Sequence, residues 1–325
     1  MTIRWGIMGT GKIAHGFARD FAAVQNAEIQ AVASRDMQKA QEFAREFGIA
    51  KAYKSYEDLV ADTEIDIIYI ATPHTLHYSN TLLCLNKGKA VLCEKPLAVN
   101  YQQVKEMIDL ARDKNLFLME ALWTYFLPAI LQAKSWIDQG QIGKITLIQA
   151  NFGFKTTFDP KSRLFDPNLA GGALLDIGIY PIALAILVAE GDPVEIKASA
   201  SLGQSKVDEY DAILLSFKNG IRAQLSCSLV SYLRDDAFIY GTEGYIHIPD
   251  FWHAEKAFLY QGDQMIERFE DQRNTRGFNF ETDEVNHILT HHKTESSCMP
   301  WQQSIRLIQI MDEVRRQINL TYPFE

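Results

Sequence analysis

Cysteine is scarce: Cys84, Cys93, Cys227 and Cys298 are scattered over 325 residues with no CxxC pair and no Cys/His cluster at structural-zinc spacing. That excludes a disulfide framework or a structural metal as the basis of the fold, and a reducing compartment is expected. Basic charge is also in short supply. Lys and Arg number 32 against 41 Asp and Glu, a formal charge of -9, which disfavours a nucleic-acid backbone as the main partner. Long apolar runs are missing as well. The strongest uncharged apolar stretch, Ile177 to Ala189, has 13 residues, short of the ~18 that suggest a membrane span. The amino terminus, MTIRWGIMGT, reaches a glycine turn before a basic region, an apolar region and a cleavage site could fit. A soluble, cytoplasmic protein is expected, and no repeat or low-complexity tract is visible.

The chain does have ordinary globular composition, 47% hydrophobic and 22% charged, over a length that suggests about two domains. Up to about residue 120, β-branched runs alternate with helical patterns. Strands are predicted at Ile3 to Met8, Glu28 to Ala33, Ile65 to Ala71, Ala90 to Cys93 and Leu116 to Met119. Helices are predicted near Ile13 to Ala23, Met37 to Phe47, Ser79 to Asn86 and Tyr101 to Lys114. Helix-length crossovers imply a parallel, doubly wound sheet. Past Ile145 the pattern becomes α+β. A helix over Gly172 to Ala189 precedes strands joined by the turn Lys218-Asn219-Gly220. In the second of these, Ala223, Leu225, Cys227 and Leu229 alternate with Gln224, Ser226 and Ser228, as in a sheet with one packed face. Helices over Asn279 to His291 and Trp301 to Ile318 close the chain. The fold class is therefore α/β: a first domain at residues 1–122 and an α+β domain at 123–325, the terminal helices being free to pack back on the first.

GTGKIA, Gly9 to Ala14, follows a predicted strand and opens a predicted helix, the context a GxGxxG/A dinucleotide fingerprint requires. Gly9 permits the turn, Gly11 lets backbone approach a pyrophosphate, Ala14 allows close helix packing, and the helix N-terminus faces the anion. The alternative is a glycine turn without a ligand. NAD-selective folds place an acid about 20 residues on, to bind the ribose 2′-hydroxyl. Here that place holds Ser34 and Arg35, which can donate to a 2′-phosphate, so NADP is favoured over NAD. The alternative leaves Arg35 solvated and gives the ribose to Asp36.

Two loops, ATPHTLHY (Ala71 to Tyr78) and CEKPLA (Cys93 to Ala98), leave strands at the carboxyl edge where such sheets bind ligands, which places Lys95 beside the expected nicotinamide. Pro96 restrains the backbone there and is a candidate cis residue. In GGALLDIGIYPI, Asp176 and Tyr180 lie four apart on one helix face. A tyrosine becomes a usable base when a neighbouring ammonium stabilises its phenolate, so Lys95 and Tyr180 form a candidate pair. The plain alternative has Asp176 paired locally and Tyr180 packed in the core.

RWGIMGTGKIA, TPHTLH, AVLCEKPLAVN, LFLMEALWTYFLPA and GGALLDIGIY, in this order, resemble the glucose-fructose oxidoreductase, inositol dehydrogenase and rhizopine-catabolism family over nearly the whole chain. The nearest likeness is to its dimeric dihydrodiol dehydrogenase and NADP-dependent D-xylose dehydrogenase branch. The resemblance implies a Rossmann domain followed by a domain with an open-faced, largely antiparallel sheet, through which a homodimer forms. It implies that Lys95 is catalytic, that Glu94 lies near the nicotinamide ribose and that His74 lies beside the cofactor in place of a common Asn. It also implies that Tyr180 stands where many relatives carry a basic His. Tyr125 occupies a place where close relatives often have Arg, which leaves substrate preference open.

The candidate catalytic residues are thus Lys95, Tyr180 and Asp176. The candidate cofactor residues are Gly9, Thr10, Gly11, Lys12 and Ile13 at the turn, Ser34 and Arg35, then Ala71, Thr72, Pro73, His74 and His77, with Glu94 and Lys95. Trp123, Tyr125 and Phe126 are candidates to line a substrate pocket or simply to pack a junction. No metal is expected, because neither His74/His77 nor His287/His291 has a nearby third ligand. The expected chemistry is hydride transfer between a sugar or cyclic diol hydroxyl and a nicotinamide, with Tyr180 as base and Asp176 orienting the substrate or Lys95. The rivals are a non-catalytic NADP-binding regulator and an enzyme that retains its cofactor for transient oxidation.

Overall fold

The computed structural model describes residues 2–325. The chain forms two compact units, Met1–Trp123 with Asn274–Ile305, and Thr124–Arg273 with Arg306–Glu325. The expected division at 122/123 left the terminal helices free to pack back on the first domain, and Asn274–Ile305 does belong to the first unit. Helix α8 (Phe278–Thr290) returns to it: Asp20 accepts the N–H groups of Gly277 and Phe278 at 2.8 and 3.0 Å, and the Trp5 indole donates to Asn286.

In the first unit β1 (Ile3–Met8) leads into α1 (Lys12–Asp20), then β2 (Ala27–Ala33), α2 (Met37–Phe47), β3 (Lys51–Tyr53) and α3 (Tyr56–Ala61). The second half runs β4 (Ile67–Ile70), α4 (His74–Asn86), β5 (Ala90–Glu94), α5 (Tyr101–Asp113) and β6 (Leu118–Ala121). All six strands are parallel in the order β3-β2-β1-β4-β5-β6, with the topological switch between β1 and β4. β1, β4 and β5 are apolar almost throughout because helices cover both faces of such a sheet. Helix starts follow local chemistry: Asp36, Ser55 and Asn100 cap α2, α3 and α5 through their side chains. α2 ends at Gly48, in the left-handed region at φ 67°.

The second unit contains α6 (Pro128–Asp138), β7 (Ile145–Gly153), a π-helical segment Leu174–Gly178 that runs into α7 (Ile179–Ala189), and seven more strands. These are β8 (Pro193–Leu202), β9 (Asp208–Phe217), β10 (Arg222–Ser228), β11 (Ala237–Gly241), β12 (Tyr245–Ile248), β13 (Lys256–Gln261) and β14 (Gln264–Glu270). α9 (Trp301–Gln317) spans the junction of the two sequence ranges, and Gln317 binds the β8 backbone at Ile196 and Ala198. The eight strands are ordered β14-β13-β12-β11-β7-β10-β9-β8 and are antiparallel except for β7 with β10. Ile148, Ala150, Ile213, Leu215, Ala223, Leu225 and Ile239 form the packed face, toward which α6 and α7 bring their apolar residues. The apolar stretch that ends at Ala189 is core rather than surface, 94% buried.

Candidate active site

In the first unit, four loops gather at the carboxyl edge of the sheet. Gly9 has φ +104°, and a Cβ there would sit 2.8 Å from the Ala71 carbonyl oxygen, so the turn after β1 requires glycine. Gly11 is different. It caps α1 at φ -78°, and a Cβ there would meet nothing within 4 Å. The protein itself gives no reason for glycine at this position, whereas a close-lying ligand would. The first turn of α1 has no acidic residue and no side-chain cap, so its N–H groups remain available to an anion. Lys12 and Ile13 are exposed beside it.

At the end of β2, Ser34 is buried with its hydroxyl 3.5 Å from that of Thr10, and Arg35 is exposed near the Tyr56 hydroxyl. The Asp36 carboxylate caps α2, accepting from Gln38 and Lys39 N–H at 3.0 and 3.4 Å. The cap uses Oδ1, and Ser34 and Arg35 stand beside Asp36 at the strand end. These residues fit an NAD(P) dinucleotide, whose pyrophosphate Gly11 and the first turn of α1 would receive.

After β4, Ala71, Thr72 and Pro73 lead into α4, where the His74 ring lies 5.7 Å from that of His77. His77 is fully buried. Its Nδ1 lies 2.8 Å from the Pro96 carbonyl oxygen and its Nε2 2.8 Å from that of Thr72. The ring thus lies between the carbonyls of the two loops, and as a neutral imidazole it donates to one of them. Burial, with a smaller contribution from the Lys95 charge, pushes its pKa down. The Lys95–Pro96 bond is cis, as the sequence suggested.

Three buried acids surround the half-buried Lys95 loop. Glu94 accepts from Tyr69, whose ring stacks on Phe17 at 3.8 Å. Glu281 of α8, fully buried, is pushed well above the usual carboxyl range by burial and then by Glu94. Glu120 at the end of β6 accepts the Leu97 N–H at 2.8 Å, and burial pushes its pKa up to about 7 against the pull of Ser304 and Lys95. Sequence reasoning missed Tyr69, Glu120 and Glu281, because nothing in an apolar strand or a terminal helix marks an acid as buried.

In the second unit the glycine-rich motif begins with the wide π turn, a feature that recurs at functional sites. Asp176 lies in it, nearly buried, and Arg163 grips it with both guanidinium nitrogens at 2.9 and 3.3 Å. Arg163 stands on an irregular loop where no pattern announces it. Tyr180, on the first turn of α7, is also buried and meets Phe152 edge-on at 5.6 Å. Trp252 stacks on Phe152 at 4.7 Å, and its indole donates to Asp235. Phe152 and Trp252 are thus the aromatic walls around Tyr180.

The three proposed pocket residues are all buried. Trp123 stacks on Phe278 at 4.6 Å within the first unit. Tyr125 spends its hydroxyl on the Ala183 carbonyl of α7 at 2.7 Å, so it ties α7 in place. Phe126 sits beside it in the core. Local packing claims this cluster because its side chains are large and apolar and lie where two elements meet.

A six-stranded parallel sheet in Rossmann order, with a glycine cradle at its switch point, defines a dinucleotide-binding protein of the NAD(P)-dependent oxidoreductase class. Residues 3–122 match the oxidoreductase family with NAD-binding Rossmann fold, and residues 130–247 match the GFO/IDH/MocA C-terminal domain. The chain belongs to the GFO/IDH/MocA family of oxidoreductases. It is 39% identical over 332 residues to the trans-1,2-dihydrobenzene-1,2-diol dehydrogenase of Danio rerio, covering 99% of this chain and 98% of that one. The protein of the same name from Mus musculus is 37% identical, with 99% of each covered. Among solved structures, a 3-ketoreductase from Actinomadura kijaniata in complex with NADP is similar at TM-score 0.88 and 25% identity, with 98% of each chain covered. An aldose-aldose oxidoreductase from Caulobacter crescentus shares the fold at TM-score 0.90 and 22% identity, with 98% of each covered.

Proposed function

We propose that the chain is an NADP-dependent dehydrogenase that oxidises a secondary or hemiacetal hydroxyl of a cyclic diol or a sugar, trans-dihydrodiols and D-xylose being the first candidates. The reading is carried by full-length likeness to proteins named dihydrodiol dehydrogenase, together with a buried tyrosine next to a gripped aspartate on a wide helical turn. When bound, NADP⁺ supplies the hydride acceptor. Tyr180 takes the hydroxyl proton, and Lys95 supplies the positive charge that favours its loss. Asp176, fixed by Arg163, orients the substrate. Gly11 and the free N–H groups of α1 receive the pyrophosphate, and Ser34 with Arg35 receives the 2′-phosphate.

A homodimer through the open sheet face is part of the proposal. One cross-strand row on that face runs Lys197, Leu214, Gln224, Gln149, Phe238, His247, Phe258 and Arg268 from β8 to β14. Phe238 and His247 stack at 4.4 Å, and Leu214 is 51% exposed, more apolar surface than a solvent face needs. All four cysteines are free, which accords with a cytoplasmic location.

The test is NADPH formation, followed by its absorbance, with trans-1,2-dihydrobenzene-1,2-diol, D-xylose, D-glucose and an inositol, each with NADP⁺ and NAD⁺. Lys95→Ala and Tyr180→Phe are each expected to lower kcat by about 10²-fold, and the double variant to lose little more than the worse single one. Unchanged turnover in both singles removes the assignment. No net NADPH from any substrate returns the regulator and retained-cofactor readings, and equal use of both coenzymes removes Arg35 as selector.

A further inference from the structure

Behind the turn that carries Asp176 and Tyr180, the second unit buries two acids that the proposed chemistry does not use. Asp208 and Asp211 of β9 are both fully buried. Three apart in a regular strand, they would point to opposite faces. Here a bulge pairs Ser201 with Tyr210 but Leu202 with Asp208, and the extra residue brings both carboxyl groups to one face. Asp208 Oδ1 and Asp211 Oδ1 are both buried with no hydrogen-bond donor among the described residues, and a proton carried by one carboxyl and shared with the other would satisfy both. Asp208 Oδ2 also accepts the Leu174 N–H, at 2.5 Å, in the first residue of the π segment. Asp211 Oδ2 accepts from Cys227 Sγ of β10 at 3.3 Å.

Tyr322, whose hydroxyl donates to Gly171, is the further titratable group near the pair, and Arg315, paired with Glu325, lies over the Tyr322 ring. Among the described residues no cation pairs with the two acids, so they cannot both ionise cheaply. Burial accordingly pushes Asp208 well up and Asp211 up to about 6.

The glycines of the motif are shaped by this cluster. Gly172 has φ +127°, and a Cβ there would collide with Asp208, while one at Gly178 would lie 2.8 Å from Cys227 Sγ. The turn can lie against the acid pair only because it has no side chains at these two points.

We propose that Asp208 and Asp211 are a positioning pair for hydride transfer: a proton shared between their carboxyl groups holds the Leu174 N–H, and through it the wide turn that presents Asp176 and Tyr180. The proposal rests on the reading of Tyr180 given above. In this arrangement one carboxyl donates to the other, Asp208 keeps a lone pair for Leu174, and Asp211 keeps one for Cys227.

The experiment compares Asp208→Ala, Asp208→Asn and Asp211→Asn with wild type in kcat, KM, melting temperature and infrared spectrum, using NADP⁺ and trans-1,2-dihydrobenzene-1,2-diol. Asp208→Ala is expected to lose about tenfold or more in kcat, with KM for NADP⁺ within about twofold, since only the geometry of the turn is disturbed. Asp208→Asn, whose amide donates to Asp211 and whose oxygen accepts from Leu174, restores most of that loss. In wild-type-minus-variant infrared difference spectra at neutral pH, both Asn variants lose one protonated-carboxyl band, while the bands of the raised acids Glu120 and Glu281 cancel.

The pH dependence carries a sign. A native pair that keeps its proton above the ordinary Asp range loses stability as pH rises from about 4, so the melting temperature of Asp208→Asn gains on wild type over that range. Equal kcat in folded Asp208→Ala and wild type, equal loss in Ala and Asn variants, or Asn variants that lose no acid band relative to wild type each overturns the proposal. If Tyr180→Phe turns over like wild type, the reading of Tyr180 fails. The infrared and melting results then still decide whether the pair shares a proton.

Discussion

Two glycines separated by one residue make opposite demands, and replacing each by alanine separates fold from ligand. At Gly9 a methyl meets the Ala71 carbonyl oxygen at 2.8 Å in a backbone at φ +104°, which L-residues avoid. Such strain costs about 1–3 kcal/mol, and relief by moving β4 away from β1 would break the Ala71 N–H to Met8 bond of 2.9 Å. Gly9→Ala should therefore lower the melting temperature by several degrees, at roughly 2–4 °C per kcal/mol. At Gly11 the backbone is ordinary and the methyl meets no protein atom. Its only intrinsic cost is a poorer N-cap, about 0.5 kcal/mol. If a pyrophosphate lies over this residue, the methyl displaces it from the α1 N–H groups. Each charge-assisted hydrogen bond lost is worth about 1.5–3 kcal/mol, so the Kd for NADP⁺ should rise at least about tenfold. Differential scanning calorimetry without ligand and titration calorimetry with NADP⁺ measure the two effects. Gly11→Ala with wild-type affinity, or Gly9→Ala with wild-type stability, would refute the reasoning.

Glu120→Gln keeps an acceptor for Leu97 N–H and removes a carboxyl whose native pKa is raised from 4.5 to about 7. A raised acid holds its proton in the native state while the unfolded chain has lost it, so wild-type stability falls as pH rises from about 4.5 to about 7, by about 3 kcal/mol in all. The Gln variant should lack that decline in urea melts run across the range; parallel pH profiles would rule it out. Leu214→Arg on the open sheet face should shift a dimer toward monomer in sedimentation velocity without changing the melting temperature of the monomer, and a wild type that sediments as a monomer would end the dimer proposal.

Local signals carried far in the first unit. Its sheet edge was legible because a strand, a glycine turn and a helix repeat a short grammar. The ends of β1 and α2 fall where apolar period and turn residues put them. β3 and α3 escaped notice, since three and six residues are too few to show a period. The capping by Asp36 could not be read either, because it depends on which N–H groups reach the acid after β2.

The sequence alone determined the class of fold, the dinucleotide cradle and the motifs carrying Lys95, Asp176 and Tyr180, because each depends on residues near one another along the chain. Tertiary structure decided what those motifs rest on: the place of His77 between Thr72 and Pro96, the Arg163 grip on Asp176, the use of Tyr125 to hold α7, and the acid pair under Leu174. Each joins groups distant in the chain or depends on a one-residue bulge. Burial, which turns a carboxyl or an imidazole from a solvated group into a structural one, is a property of the folded surroundings and not of any short stretch of sequence.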